Sequence, residues 1–168
     1  MDSGCARAVM TTPIGSLTVT TSRTGLRQLG FGAGKSAHGD DEADGRLKEV
    51  WQQLEEYFAG ERRRFDVPLD WSLSSGWALQ VRRTLYESVP YGQTVSYSGL
   101  AELAGRPDGA RAVGGIMAGN PIALVVPCHR VVAADGGLGG FGGSGGTAVE
   151  TKRRLLALEG SAPPTLFD

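Results

Sequence analysis

The sequence predicts a mixed α/β (α+β) chain of two domains, on three observations. A β-rich hairpin pattern and one amphipathic helix fall before residue 75. A short Ser/Gly-containing linker, S-L-S-S-G, follows at 72–76. From there the pattern is almost entirely helical and includes two short helices around a four-residue turn. These place a small amino-terminal α/β domain at 1–75 and a mostly helical carboxy-terminal domain at 76–168. A chain of 168 residues can bury a core without disulfide or metal staples.

Taken in order, residues 12–31 read as a hairpin: a β-rich stretch at 18–21, the turn Ser22-Arg23-Thr24-Gly25, and a second strand at 26–31. Residues 32–45 hold four acids and show no periodicity, so a mobile surface loop is expected. Leu47, Val50, Trp51, Leu54 and Phe58 repeat at helical spacing over 46–59, and Gly60 suits a left-handed end. Residues 65–69 should be extended, because Pro68 disfavours helix before it.

In the second domain a helix is expected at 77–89, with Trp77, Val81 and Leu85 on one stripe, broken by Pro90-Tyr91-Gly92. Short helices at 96–104 and 109–118 flank Gly105-Arg106-Pro107-Asp108 in helix-turn-helix form. The apolar run Leu124, Val125, Val126 reads as a strand leading to Pro127. Eight of the 26 glycines fall within 136–146. A last helix is expected at 148–159, with Thr147 and Glu150 as a capping box and Gly160 at the far end.

Composition narrows the function classes. The net charge of −1 gives no long-range electrostatic drive toward nucleic acid or an anionic membrane. No apolar run approaches the ~18 residues of a membrane span. The first residues, M-D-S-G-C-A-R-A-V-M, lack the apolar core of a secretory signal. Cys5 and Cys128 form no disulfide framework. The expected compartment is a reducing cytoplasm.

The sharpest chemical feature is Pro127-Cys128-His129-Arg130. A thiol is a strong nucleophile only as thiolate, with an unperturbed pKa near ~8.5, and an imidazole beside it can lower that value. A buried structural cysteine is the competing reading. Adjacent side chains often point apart, so Cys128 and His129 would couple through water. Glu159 could orient His129 as a third member, against the alternative of an unpaired acid on a helix surface.

The second helix of the helix-turn-helix is made of small residues: Ala110, Ala112, Gly114, Gly115, Ala118 and Gly119. It lacks the long polar side chains that read base edges in a major groove. Small faces let a backbone approach something closely, whether a ligand or another helix. Arg111 is its one long cation. The glycine run contains G-x-G-x-x-G from Gly137 to Gly142, but only one helix follows it here, so a dinucleotide-binding unit, which needs a returning strand, is not expected. Cys5, Cys128, His38 and His129 lack metal-ligand spacing, and no metal site is expected.

With these residues in view, the chain resembles the O6-alkylguanine-DNA alkyltransferases, the methylated-DNA–protein-cysteine methyltransferases. T-P-I-G-S-L at 12–17, Y-F-A-G-E-R at 57–62 and F-D-V-P-L-D at 65–70 are similar to that family's amino-terminal domain. V-P-Y-G-Q-T-V-S-Y at 89–97, A-R-A-V-G-G at 110–115 and N-P-I-A-L-V-V-P-C-H-R-V-V at 120–132 are similar to its active-site domain.

The resemblance implies direct, single-turnover transfer of an alkyl group from O6-alkylguanine in double-stranded DNA to Cys128, with O4-alkylthymine as a further candidate substrate and no cofactor. It implies that His129 activates Cys128 through water, that Glu159 orients His129, and that Asn120 ties the helix-turn-helix to the active-site segment. Tyr97 would contact a flipped guanine, and Arg111 would fill the stack after the base leaves. Ala110, Ala112, Gly114, Gly115 and Ala118 would let the helix enter the minor groove. Met117, Val131, Phe141 and Gly142 would border the substrate pocket. A monomer is implied, with cooperative assembly on DNA left open. Phe141 replaces the family's usual Tyr, Arg82 stands where Trp is common, and the glycine loop is longer than in most bacterial relatives. Two other classes compete: a DNA-damage-recognition module without transfer, and a Cys-His hydrolase with multiple turnover.

Overall fold

The structure, a computed structural model, describes residues 4–135, 137 and 146–161. It divides into two compact units, Met1–Ser74 with Pro121–Val125, and Ser75–Asn120 with Val126–Asp168. Residues 121–125, placed by the sequence with the second domain, thus pack with the first unit.

The first unit is a three-stranded antiparallel sheet, β1 (Ala6–Thr12), β2 (Gly15–Thr21) and β3 (Leu26–Phe31), carrying one helix, α1 (Asp41–Phe58). β1 was not foreseen, because A-R-A-V-M-T-T lacks clean alternation. It pairs with β2 from Ala6↔Thr21 to Thr12↔Gly15, closed by the Pro13-Ile14 turn. The β2–β3 hairpin is where the sequence put it, with Ser22 N–H donating to Gly25 O across the turn. A Cβ at Gly25 would lie 2.3 Å from Pro68 O, so only glycine lets the 65–70 segment run alongside. That segment pairs with Leu26 on one side of the sheet. At Leu29 the returning residues do the same: Leu29 N–H donates to Pro121 O and Ala123 N–H donates to Leu29 O.

α1 starts at Asp41, five residues before the start expected at 46. Asp40 caps it by accepting from Ala43 N–H, and Asp41, Glu42 and Asp44 occupy the first turn, where the helix dipole favours negative charge. The acids that read as loop are therefore a helix N-terminus, and Ala37 before them is bridged to Arg7 by two backbone hydrogen bonds. α1 packs across the strands through Ala43, Val50, Leu54 and Tyr57. The fully buried Tyr57 ring sits 5.2 Å from Phe58 and 5.3 Å from Phe65, each pair worth about 1 kcal/mol beyond its area.

The second unit holds α2 (Gly76–Ser88), α3 (Tyr97–Leu103), α4 (Ala110–Ala118) and α5 (Gly146–Leu158). Ser96 caps α3 by accepting from Gly99 N–H. Trp77 Nε1 and Gln80 Nε2 both donate to Ala104 O, fixing the end of α3 against α2. Two short strands, β4 (Val95–Ser96) and β5 (Val131–Val132), pair in parallel. The expected strand at 124–126 does not form. Leu124 has φ 73°, a left-handed conformation that breaks an extended run, and all three residues are buried in a turn. A continuous apolar stretch reports burial, not conformation. The last helix also begins earlier than expected, at Gly146, so Thr147 lies inside it and is not its cap.

Candidate active site

Asn120 follows α4, and its side-chain Nδ2 donates to Val126 O at 2.9 Å. The same carbonyl accepts Cys128 N–H at 2.7 Å. Pro127, at φ −81° and ψ 67°, makes this an inverse γ-turn, which delivers the chain into the single 3-10 turn Cys128–Arg130. Asn120 also hydrogen-bonds the Cys128 side chain. One amide thus holds both the backbone and the thiol of this segment.

His129 is wholly buried, and its Nε2 lies 2.8 Å from Glu159 Oε2. Arg130 forks onto the same carboxylate, Nε to Oε1 at 2.8 Å and Nη2 to Oε2 at 3.1 Å, while its Nη1 donates to Val89 O. Burial would raise the Glu159 pKa, but the hydrogen bonds of His129 and Arg130, the Arg130 charge and that of His129 once protonated outweigh it and bring it down to about 2. Glu159 is therefore an anion and an acceptor. Burial lowers the His129 pKa against the pull of Glu159, so the imidazole is neutral near pH 7. A neutral ring with an anion at Nε2 carries its proton there, which leaves Nδ1 as the basic nitrogen. Nδ1 is buried and has no protein hydrogen-bond partner among the described residues.

The Cys128 thiol is 4% exposed. Burial pushes its pKa up, and the Asn120 hydrogen bond, Lys152, its own backbone and Arg82 pull it partly back. The net direction is opposite to the pre-ionised nucleophile expected from the Cys-His dipeptide: the resting group is a thiol.

Two cations here were not among the sequence candidates for the site. Lys152 on α5 is fully buried; its Nζ donates to Val131 O at 2.5 Å and lies 3.5 Å from Tyr97 Oη. Burial lowers its pKa to about 8, against the opposing pull of Cys128. Arg82 on α2 is 8% exposed, and its Nη2 donates to Ile116 O at 3.0 Å. In sequence, a lysine among Arg153 and Arg154 reads as a solvated helix face; only the buried Leu155 and Leu156 flanking its stripe hint otherwise.

Tyr97, the first residue of α3, is half-buried. On α4, Arg111, Ala112, Gly115 and Ala118 are exposed and share one face, Ala110 and Gly114 are half-buried, and Val113 and Met117 point into the unit. A Cβ at Gly114 or Gly115 would meet nothing within 4 Å. Among the described residues nothing therefore packs where a Gly114 or Gly115 side chain would stand, which removes the helix-packing reading for these two glycines. Val131 is buried and pairs with Val95. Phe141 and Gly142, with most of the 136–146 glycine segment, lie outside the described residues. Among the described residues no group of three or more His, Cys, Asp or Glu could hold a metal ion, and no helix is long and apolar enough to cross a membrane.

Comparison with known proteins bears on the same residues. The family model for the 6-O-methylguanine DNA methyltransferase DNA-binding domain matches residues 77–161, and that for the ribonuclease-like domain of 6-O-methylguanine DNA methyltransferase matches residues 6–71. The methylated-DNA–protein-cysteine methyltransferase of Mycolicibacterium paratuberculosis is 48% identical over 120 residues, 70% of this chain and 69% of that protein. The one of Methanosarcina acetivorans is 38% identical over 160 residues, 92% of this chain and 97% of that protein. The crystal structure of Mycobacterium tuberculosis OGT in complex with DNA superposes with a TM-score of 0.77 at 38% identity, covering 95% of this chain and 98% of that one.

Proposed function

We propose, for a chain that belongs to the methylated-DNA–protein-cysteine methyltransferase family, that it repairs DNA by moving the alkyl group of O6-alkylguanine onto Cys128, once per molecule. The observation that carries this reading is the buried series Cys128, His129 and Glu159, in which His129 presents a basic Nδ1 with no partner among the described residues.

Buried polar atoms are nearly always hydrogen-bonded, and a water between His129 Nδ1 and Cys128 Sγ would satisfy this one. Through it the thiol proton passes to Nδ1, and Glu159 stabilises the imidazolium that forms. The thiolate Sγ attacks the alkyl carbon, the carbon–O6 bond breaks, and its electron pair leaves with guanine. Guanine regains a proton at N1, which balances the proton lost from Sγ. The product is a thioether, and reversal would need the guanine oxygen, a weaker nucleophile, to expel thiolate from its alkyl carbon, so the step does not reverse. A buried thiol that ionises only on demand suits a protein that reacts once, because it is spared adventitious alkylation.

The alkyl carbon is out of reach inside a base stack, so the guanine must leave it, at a cost of a few kcal/mol. The exposed face of Arg111, Ala112, Gly115 and Ala118 supports minor-groove entry: small side chains admit the backbone, and Arg111 is long enough to fill the gap. Tyr97 and Met117 are the described residues we assign to the flipped base, with Lys152 holding the Tyr97 hydroxyl. Duplex DNA with a single O6-methylguanine, followed by mass spectrometry of the Cys128 peptide, tests the reading. One methyl on Cys128, absent with Cys128→Ser, is expected; methylated DNA bound with Cys128 unmodified would establish recognition without transfer.

A further inference from the structure

Arg82 and Lys152 bring two buried cations to Cys128 from different helices. Lys152 is shared with Tyr97, whereas the described contacts of Arg82 point toward the segment that carries the thiol. Its Nη2 bonds Ile116 O, one of the last carbonyls of α4, and a Cβ at Gly119 would approach the same nitrogen to 3.4 Å. Asn120 comes next in the chain and holds both Val126 O and the thiol. We propose that Arg82 is a positioning residue of the transfer reaction, a permanent positive charge that holds the Cys128 thiolate while its guanidinium fixes the end of α4 on which Asn120 depends. This rests on Cys128 being the acceptor.

The physical case has three parts. First, a buried guanidinium cannot shed its proton, so its desolvation must be offset by an opposing charge. Cys128 supplies such a charge when it ionises, so the buried guanidinium favours the thiolate over the resting thiol. Second, among the described residues the groups coupled to the thiol are Arg82 from α2, Tyr97 from α3, Asn120 after α4 and Lys152 from α5. Tyr97 is neutral, and burial pushes its pKa up. Asn120 carries no charge. Of the thiol's chain neighbours, His129 and Arg130 are committed to Glu159. Third, Lys152 loses its proton near pH 8, and Arg82 does not. Above that pH Arg82 is the one of these described groups that keeps its positive charge.

Arg82→Gln separates charge from hydrogen bonding, since it keeps an N–H donor for Ile116 O; Arg82→Met is a second neutral variant and Arg82→Lys the rescue. Two readouts are compared: the pH midpoint of iodoacetamide labelling at Cys128, resolved by peptide, and the single-turnover rate on O6-methylguanine duplex. In Arg82→Gln the midpoint should rise by about one pH unit and transfer at neutral pH should fall about tenfold. Arg82→Lys should restore most of both. An unchanged midpoint in Arg82→Gln and Arg82→Met, or an Arg82→Lys that labels like Arg82→Gln, would overturn the proposal and leave Arg82 a structural tie. The labelling arm needs no DNA. A wild type that labels but does not transfer would therefore count against the assigned function, not against Arg82.

Discussion

Glu159 stands 2.8 Å from His129 Nε2 with both side chains wholly shielded from solvent, and Arg130 closes the other edge of the same carboxylate. The arrangement makes an acid anionic in the interior and decides which imidazole nitrogen keeps a proton. It also ties the 3-10 turn that carries Cys128 to the end of α5.

The pH dependence of stability should report this carboxylate. Its pKa falls from an ordinary 4.5 to about 2 on folding, so the unfolded chain binds the proton more readily. The stabilisation is fully present above pH ~4.5 and is lost as pH falls toward ~2; it amounts to something on the order of 3 kcal/mol. His129, held neutral by burial, adds a further loss below its unfolded value of 6.5. Urea melts from pH 7 to 3 should show wild type losing stability steeply. Glu159→Gln should start lower, having left Arg130 buried without its counter-charge, and show a flatter acid limb.

Lys152 should write a second signature in the rate profile. While protonated it favours the thiolate and the Tyr97 hydroxyl contact, and it releases its proton near pH 8. The wild-type transfer rate should bend near that pH, and Lys152→Met should lose the bend and run about tenfold slower at neutral pH. Single-turnover rates between pH 6 and 9.5 check this. An unaltered profile in a folded Lys152→Met would remove Lys152 from the reaction.

Gly115 offers a test in which stability and binding move oppositely. Its missing Cβ faces open space, so Gly115→Leu should stabilise α4 by up to ~1 kcal/mol through helix propensity. The same side chain would stand on the face assigned to the groove, so duplex binding should weaken at least tenfold. Thermal melts and titration of labelled duplex at fixed salt measure both.

Arg111 is exposed, and its removal should leave stability within about 0.5 kcal/mol. A residue that fills the base stack is needed only when there is a stack. Arg111→Ala should therefore lose tenfold or more on duplex and little on a free O6-alkylguanine base, measured as second-order rates. Equal losses on both would assign Arg111 to the pocket or the fold.

The sequence made most of this fold legible because its signals are local: Ser96 and Gly60 mark helix ends, and helical spacing marks α1, α2 and α4. The errors share a cause. Asp41 and Glu42 carry no apolar periodicity, so the start of α1 read as loop; Leu124 to Val126 are uniformly apolar, so a buried turn read as a strand. Cys128, His129, Glu159 and Asn120 are legible because the C-H-R segment stands out and resembles a known family. Arg82 was noticed only as a departure from that family. Lys152 carried no signal, because burial of a cation is decided by tertiary packing, and nothing in T-K-R-R-L-L says which of its three cations turns inward. The net charge of −1 was equally silent about DNA: the face assigned to it has one arginine and depends on size rather than charge.

In the proposed reaction Cys128 is consumed, and the stoichiometry of label transfer measures this. Duplex carrying a radiolabelled O6-methyl group is supplied in tenfold excess over protein, and label on protein is followed to completion. A plateau at one label per molecule is expected, all of it on Cys128, with no further repair of the remaining duplex. Continued repair beyond one equivalent, or label on any residue other than Cys128, would contradict it.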